Sequence, residues 1–132
     1  MTKKIKYIDG IRFYRSIVVG INNLISRQDY LNQINVFPVP DGDTGTNMAF
    51  TVNEILEGTS GTVSSKIGEM SQQVADLALD GARGNSGAIL AQFFVGLSES
   101  LENKDKMSVK DFAKAFQKAS DNAWDALSDP QE

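Results

Sequence analysis

Apolar residues recur at spacings of three and four along most of this 132-residue chain, which is the pattern of amphipathic helices. The first stripe follows Asp9, a predicted N-cap, and either runs through Ser26 to Tyr30 or breaks near there. A second runs from Met48 to Leu56. A third runs from Val63 to Leu77, and two more follow Gly87 and Ser108. Since no segment shows a convincing strand alternation, the sequence predicts an all-α bundle of about five helices.

Side chains suited to capping precede several of these stripes. Thr44 or Thr46 is available as the cap of the second helix, and Ser86 is the expected N-cap of the fourth. Ser108 and Asp111 have the spacing of a capping box, with Asp in place of the usual Glu or Gln. These positions predict where the helices begin.

Composition excludes several classes of site. The chain has no cysteine and no histidine, so disulfides, thiolate metal sites and a cysteine nucleophile are excluded, and the commonest general base is absent. A net charge of −4 and a pI near 4.8 argue against nucleic-acid binding. Because no apolar run approaches the roughly 20 residues of a membrane span, we expect a soluble, cytoplasmic protein with no integral membrane segment.

Two aspartates lie on a loop that prolines keep out of helical conformation. Pro38 and Pro40 restrict the backbone just before Asp41 and Asp43. Both carboxylates can converge on a hard cation, and Asn35 could add an amide oxygen. The alternative is that the aspartates only cap turns and the following helix, because Asp-Gly pairs are ordinary turn residues.

Two glycine-containing helix starts have the character of anion sites. The unpaired N–H groups and dipole of a helix start attract anions, and the start near Gly45 also offers the side-chain donors of Thr44, Thr46 and Asn47. The Gly84–Gly87 turn has the same physics, with Arg83 beside it. Plain capping by Ser86 and a surface ion pair of Arg83 are the alternatives. Together with the acidic loop, the two starts suggest a polyphosphate held by magnesium.

The segment Asn35-Val-Phe-Pro-Val-Pro-Asp-Gly-Asp-Thr-Gly-Thr-Asn-Met48, together with Gly81-Ala-Arg-Gly-Asn-Ser-Gly87, resembles the dihydroxyacetone kinase L-subunit family. The closer resemblance is to the N-terminal nucleotide-binding domain of bacterial fatty acid kinase, and it extends from Asp9 through the last helix. It implies an all-α barrel of antiparallel amphipathic helices, of which this chain would contain about five to six. ATP and two Mg²⁺ ions would bind at one end of that barrel.

On matching positions, the resemblance implies that Asp41 and Asp43 are the metal-binding, catalytic carboxylates. Asn35 stands near a further metal-binding aspartate of dihydroxyacetone kinases. The residues expected to line the phosphates of the cofactor are Thr44, Gly45, Thr46, Asn47, Gly84, Asn85 and Ser86. In the family, the kinase domain phosphorylates a fatty acid carboxylate that a separate fatty-acid-binding protein presents.

The acceptor chemistry suits this chain. A carboxylate is already ionised near neutral pH and needs no general base, so a chain without histidine can phosphorylate it. Dihydroxyacetone kinases tend to carry histidine where this sequence has Thr44, which favours the fatty acid kinase branch. A kinase of the dihydroxyacetone type, a non-catalytic nucleotide- or metal-binding module and a helical interaction protein without a ligand are the alternatives.

The family domain continues beyond the last helix found here. Its further helices complete the barrel, whereas this chain ends at Glu132. We therefore expect residues 1–132 to form a single nucleotide-binding domain that lacks the C-terminal helices of the family. Exposed apolar helix faces would then favour self-association that supplies the missing wall.

Overall fold

The computed structural model describes residues 5–35 and 42–128 and confirms the all-α prediction. The described residues contain six helices and one small antiparallel sheet. The elements are β1 (Tyr7–Asp9), α1 (Gly10–Ser26), α2 (Gln28–Gln33), α3 (Thr44–Gly58), α4 (Ile67–Gly81), α5 (Gly84–Leu101), β2 (Lys106–Ser108) and α6 (Val109–Ser128).

Two local features differ from the sequence prediction, and a third was left open by it. The strands β1 and β2 pair with Tyr7 opposite Ser108, and three residues each are too few to show an alternation. The break that the sequence left open near Ser26 to Tyr30 occurs at Arg27, which separates α1 from the short α2. Val63 lies before α4 and is 42% exposed, so the third stripe begins at Ile67 instead.

Helix α4 is central to the core. Its residues Ile67, Met70, Val74 and Ala78 have no exposed surface, because α4 packs against α1, α3 and α5. Helix α6 lies chiefly on α5, where a Cβ at Gly96 would collide with the backbone of α6. The stripe that the sequence predicted for α4 is therefore core packing.

Helix α6 buries only part of its apolar surface. Ala115 and Ala119 are fully buried, whereas Phe112, Phe116 and Trp124 are 43%, 45% and 68% exposed. The self-association expected from the sequence stays a prediction. Within the described residues, no helix combines the length and apolar character needed to cross a bilayer.

The long helices alternate in direction along the chain and so divide their ends between two sides of the molecule. On one side, the backbone N–H of Gly10 donates to Ser65 O (2.8 Å) where α1 begins near the start of α4. There the N–H groups of Ile67 and Gly68 donate to the carbonyls of Asp105 and Lys104 (3.0 and 2.9 Å). The starts of α3 and α5 lie on the opposite side.

The predicted caps of α1 and α6 are confirmed. Asp9 Oδ1 accepts a hydrogen bond from Arg12 N (2.9 Å). Ser108 N donates to Asp111 Oδ2 (3.0 Å), and Asp111 N donates to Ser108 Oγ (3.1 Å), which is a reciprocal capping box.

The caps predicted for α3 and α5 are wrong. Their N-cap positions are Asp43 and Arg83, and neither of these side chains makes a capping hydrogen bond. Thr44, Thr46 and Ser86 lie inside the first turn of their helices instead.

The capping box makes α6 sensitive to Ser108. We expect Ser108→Ala to lower the free energy of unfolding by about 1 kcal/mol, because the N–H of Asp111 loses its acceptor. Ser120→Ala, at an exposed position of the same helix, is the control and should change stability by less than about 0.5 kcal/mol. Urea unfolding followed by circular dichroism measures both, and equal stability of the two variants would contradict the role of the box.

The same box predicts a pH dependence. The hydrogen bond from the Ser108 N–H, assisted by the Ser108 hydroxyl and Lys104, lowers the pKa of Asp111 below its ordinary value. A lowered pKa in the folded state means that this contribution is present at neutral pH and is lost as the pH falls through the lowered pKa. The stability difference between the wild type and Asp111→Asn, measured by urea unfolding, should therefore shrink in acid, because the wild type loses the contribution of the Asp111 carboxylate and the variant has none to lose.

Candidate functional site

The helices α3 and α5 begin side by side. Ser86 Oγ donates to the carbonyl oxygen of Thr44 (3.4 Å). Gly84 has a φ of 68°, and a Cβ there would collide with the side-chain amide of Asn47. The residues that the sequence predicted around the phosphates, Thr44 to Asn47 and Gly84 to Ser86, therefore lie together at one end of the bundle.

The start of α3 is capped by side chains from outside the helix. Asn35 Oδ1 accepts hydrogen bonds from the N–H groups of Asp43 (3.1 Å) and Thr44 (3.0 Å). Asn32 Oδ1 accepts from the N–H of Thr46 (3.0 Å). These backbone donors are therefore used within the chain, which leaves α3 a poorer anion site than its sequence predicts.

The hydroxyl of Thr46 is also held by α2. Its Oγ1 accepts from Asn32 Nδ2 (2.9 Å) and Gln28 Nε2 (3.3 Å). Two accepted hydrogen bonds use both lone pairs of a hydroxyl and leave its proton for donation. Thr46 can therefore act toward a ligand as a donor.

The carboxylate of Asp43 is not a cap. Asp43 occupies the N-cap position of α3 and is partly buried, but its side chain makes no hydrogen bond or ion pair with any other described residue. Asp41, the second predicted carboxylate, lies outside the described residues. In the part of the chain that the structure describes, no three acidic residues form a metal-binding group.

The start of α5 is open. Among residues 5–35 and 42–128, the backbone N–H groups of Gly84, Asn85 and Ser86 have no hydrogen-bond acceptor, and the first internal bond of the helix runs from Gly87 N to Arg83 O (3.2 Å). Asn85 Oδ1 is buried and also has no partner in this part of the chain. Unpaired N–H groups and the positive end of the dipole make this helix start the better anion site.

A cavity of about 420 Å³ adjoins the start of α5. Its walls come from the end of α4, the first turns of α5 and the end of α6, and Asn85 contributes to them. Gln92, Asn122 and Asp125 add polar groups to a mostly apolar lining. Its size lies within the range of small-ligand sites, about 300–1,000 Å³.

Arg83 has a partner that the sequence did not indicate. Its guanidinium lies over the ring of Phe50, with 4.9 Å between Cζ and the ring centroid. The backbone N–H of Arg83 donates to Thr51 Oγ1 (3.2 Å). These contacts join α3 to the turn before α5 and place a positive charge near both helix starts.

Two glycines at this site allow neighbouring parts of the chain to approach closely. A Cβ at Gly45 would collide with the carbonyl oxygen of Gln28, and a Cβ at Gly87 would collide with the Thr51 hydroxyl. The sequence analysis interpreted both glycines as part of phosphate loops and did not identify Gln28 or Asn32. The signal that could have identified them is the spacing of Gln28, Asn32 and Asn35, which are four and three residues apart. Residues at these spacings lie on one face of a helix.

Comparison with known proteins identifies the family. Residues 38–132 match the model of the DAK2 domain. The chain belongs to the DAK2 domain family. This assignment agrees with the all-α fold and with the dihydroxyacetone kinase L-subunit resemblance.

Several staphylococcal proteins are similar to this DAK2 domain. An uncharacterized protein of Staphylococcus saprophyticus is 43% identical over 125 residues, which cover 95% of this chain and 23% of the relative. Uncharacterized proteins of Staphylococcus epidermidis and Staphylococcus aureus strain USA300 are 41% and 39% identical over 128 residues, which cover 97% of this chain and 23% of each relative. The chain thus spans about a quarter of the length of these relatives.

The contact between α2 and α3 gives a direct prediction. We expect Gly45→Ala to lower the free energy of unfolding by about 1–3 kcal/mol, because the added methyl group meets the backbone carbonyl of Gln28. Gly20→Ala is the matched control, since a Cβ at that helical glycine meets nothing within 4 Å. The control should raise stability by up to about 1 kcal/mol. Denaturant unfolding of both variants measures the contrast, and a stabilising Gly45→Ala would refute the close contact.

Proposed function

We propose that this DAK2 domain binds ATP with Mg²⁺ and transfers the γ-phosphate to a fatty acid carboxylate, as a kinase domain of the fatty acid kinase type. A separate fatty-acid-binding protein would present the acceptor. The observation that carries the proposal is the open start of α5, with three unpaired N–H groups beside the 420 Å³ cavity. Residues 1–132 would form one nucleotide-binding domain.

The phosphates fit between the start of α5 and Asp43. The N–H groups of Gly84, Asn85 and Ser86 are fixed donors that need no rearrangement to meet an anion. The Thr46 hydroxyl retains a proton for the same side of the site. Arg83 adds positive charge near the polyphosphate, and its stacking on Phe50 restricts where that charge lies.

The nucleoside fits the adjoining cavity. Its apolar walls suit a base, and Asn122 and Asp125 offer polar groups for a base edge or a ribose. Asn85 lies both in the wall of the cavity and in the first turn of α5, so it connects the nucleoside and phosphate regions. A nucleotide would therefore extend from the cavity toward Asp43.

The donor chemistry beside the phosphates fits Mg²⁺. This ion favours carboxylate oxygens, and it is commonly bound by one or two carboxylates together with waters and substrate phosphates. Asp43 supplies an oxygen ligand that no described residue occupies, and Asp41 would supply a second. When bound, Mg²⁺ neutralises charge on the phosphates.

The residues of the chain contribute orientation and charge. The rigid start of α5 holds the transferring phosphate in a fixed direction, which favours in-line attack by the acceptor. A fatty acid carboxylate needs no deprotonation near neutral pH, so the absence of histidine from the chain is compatible with the transfer.

Calorimetric titration with a non-hydrolysable ATP analogue tests the binding step. We expect wild-type binding to require Mg²⁺ and Asp43→Asn to weaken it by at least about tenfold, because the amide loses the charge that holds the cation. Asp105→Asn, at the opposite end of the bundle, is the control and should bind as the wild type does. The absence of wild-type binding would refute the proposed function.

Asn85 provides an independent test. We expect Asn85→Ala to weaken nucleotide binding by about three- to tenfold through loss of a polar contact. Its melting temperature should stay equal or rise, because the buried Asn85 oxygen has no partner within the described residues of the free protein. Thermal unfolding and the same titration separate the two effects. A lower melting temperature with unchanged affinity would show that Asn85 is structural.

A phosphate-transfer assay distinguishes the kinase from a binding module. With ATP, Mg²⁺, a fatty acid and its carrier protein, a kinase forms an acyl phosphate that depends on Asp43. Nucleotide binding without transfer would favour the alternative of a non-catalytic nucleotide-binding module. Transfer to dihydroxyacetone instead would favour the dihydroxyacetone type.

A further inference from the structure

We propose that Asn32 and Asn35 are positioning residues that hold the start of α3 and leave the Asp43 carboxylate available for a cation, and that Asn35 is not itself a metal ligand. The functional part of this inference rests on the proposed function. Its structural part, the capping of α3 by two amides, stands on hydrogen bonds within the described residues.

The oxygen of Asn35 is already used. Its Oδ1 accepts from two backbone N–H groups, those of Asp43 at 3.1 Å and Thr44 at 3.0 Å. An amide oxygen has two lone pairs, and the amide nitrogen is a donor that cannot bind a cation. A metal contact through Asn35 would therefore displace a hydrogen bond at the helix start and leave a backbone donor without its acceptor.

Asn32 has taken over the capping role of Asp43. The side chain at an N-cap position normally accepts from the N–H two or three residues later, which for Asp43 includes Thr46. Here Asn32 Oδ1 accepts the Thr46 N–H at 3.0 Å, and Asn32 Nδ2 returns a bond to Thr46 Oγ1 at 2.9 Å. The Asp43 carboxylate is consequently released from the helix that it precedes.

Neutral amides suit this position better than carboxylates. Aspartate is an equally good helix cap, so capping alone does not require Asn at positions 32 and 35. Additional negative charge at these positions would lie beside the polyphosphate proposed here and repel it. Gly45 completes the arrangement, because its missing side chain lets α2 approach α3 closely enough for both amides to reach.

Metal-free melting tests the capping. With a chelator and no nucleotide, we expect Asn32→Ala and Asn35→Ala each to lower the melting temperature by about 3–8 °C. Asn35→Asp should restore it, because a carboxylate oxygen accepts the same two N–H groups. Asn22→Ala, at an exposed position of α1, is the control and should not lower it. Unchanged melting of Asn35→Ala would overturn the capping role.

The magnesium requirement for binding the ATP analogue tests the positioning. At a temperature well below melting, both alanine variants should raise the Mg²⁺ concentration for half-maximal binding by at least about threefold, since both act through Asp43. A raised requirement in Asn35→Ala alone, with normal metal-free melting, would identify Asn35 as a ligand. Lower melting with an unchanged requirement would overturn positioning. If the wild type binds no nucleotide, the proposed function and the positioning fail, whereas the melting experiment still decides the capping.

Discussion

The capping of α3 by amides from an earlier part of the chain is the interaction on which the site depends. Asn32 and Asn35 reach the first turn of α3 across sequence separations of 8 to 14 residues. Unpaired helix donors are costly when they are shielded from water, so this contact stabilises both α2 and α3. It also determines which groups near Asp43 remain available to a ligand.

The two neighbouring helix starts consequently differ in chemistry. At α3, the amides occupy backbone donors and the Asp43 carboxylate is left without a partner among the described residues. At α5, the first N–H groups are unpaired and a cavity lies alongside. One start therefore offers negative charge for a cation and the other offers donors for an anion, which is the complementarity that a metal–phosphate ligand requires.

Local patterns predicted the helices and the caps that depend on neighbouring residues. The apolar stripes gave the correct fold class, and the Ser108–Asp111 capping box formed as its spacing indicated. Ser86 was misassigned because Gly84 adopts a positive φ and lets α5 begin three residues earlier. The role of Asn35 was not predictable locally, since it depends on how α2 packs against α3.

The start of α5 differs from the starts of the other long helices. Helix α1 is capped by Asp9, α6 by its capping box, α3 by the amides of Asn32 and Asn35, and the first N–H groups of α4 by carbonyls of the turn before β2. In each of these helices, a different kind of group accepts hydrogen bonds from the first backbone N–H groups. Among the long helices that the structure describes, α5 alone begins without such an acceptor. The start of α5, which lies beside a cavity of about 420 Å³, is therefore the helix start whose unpaired donors suit the anionic ligand proposed here.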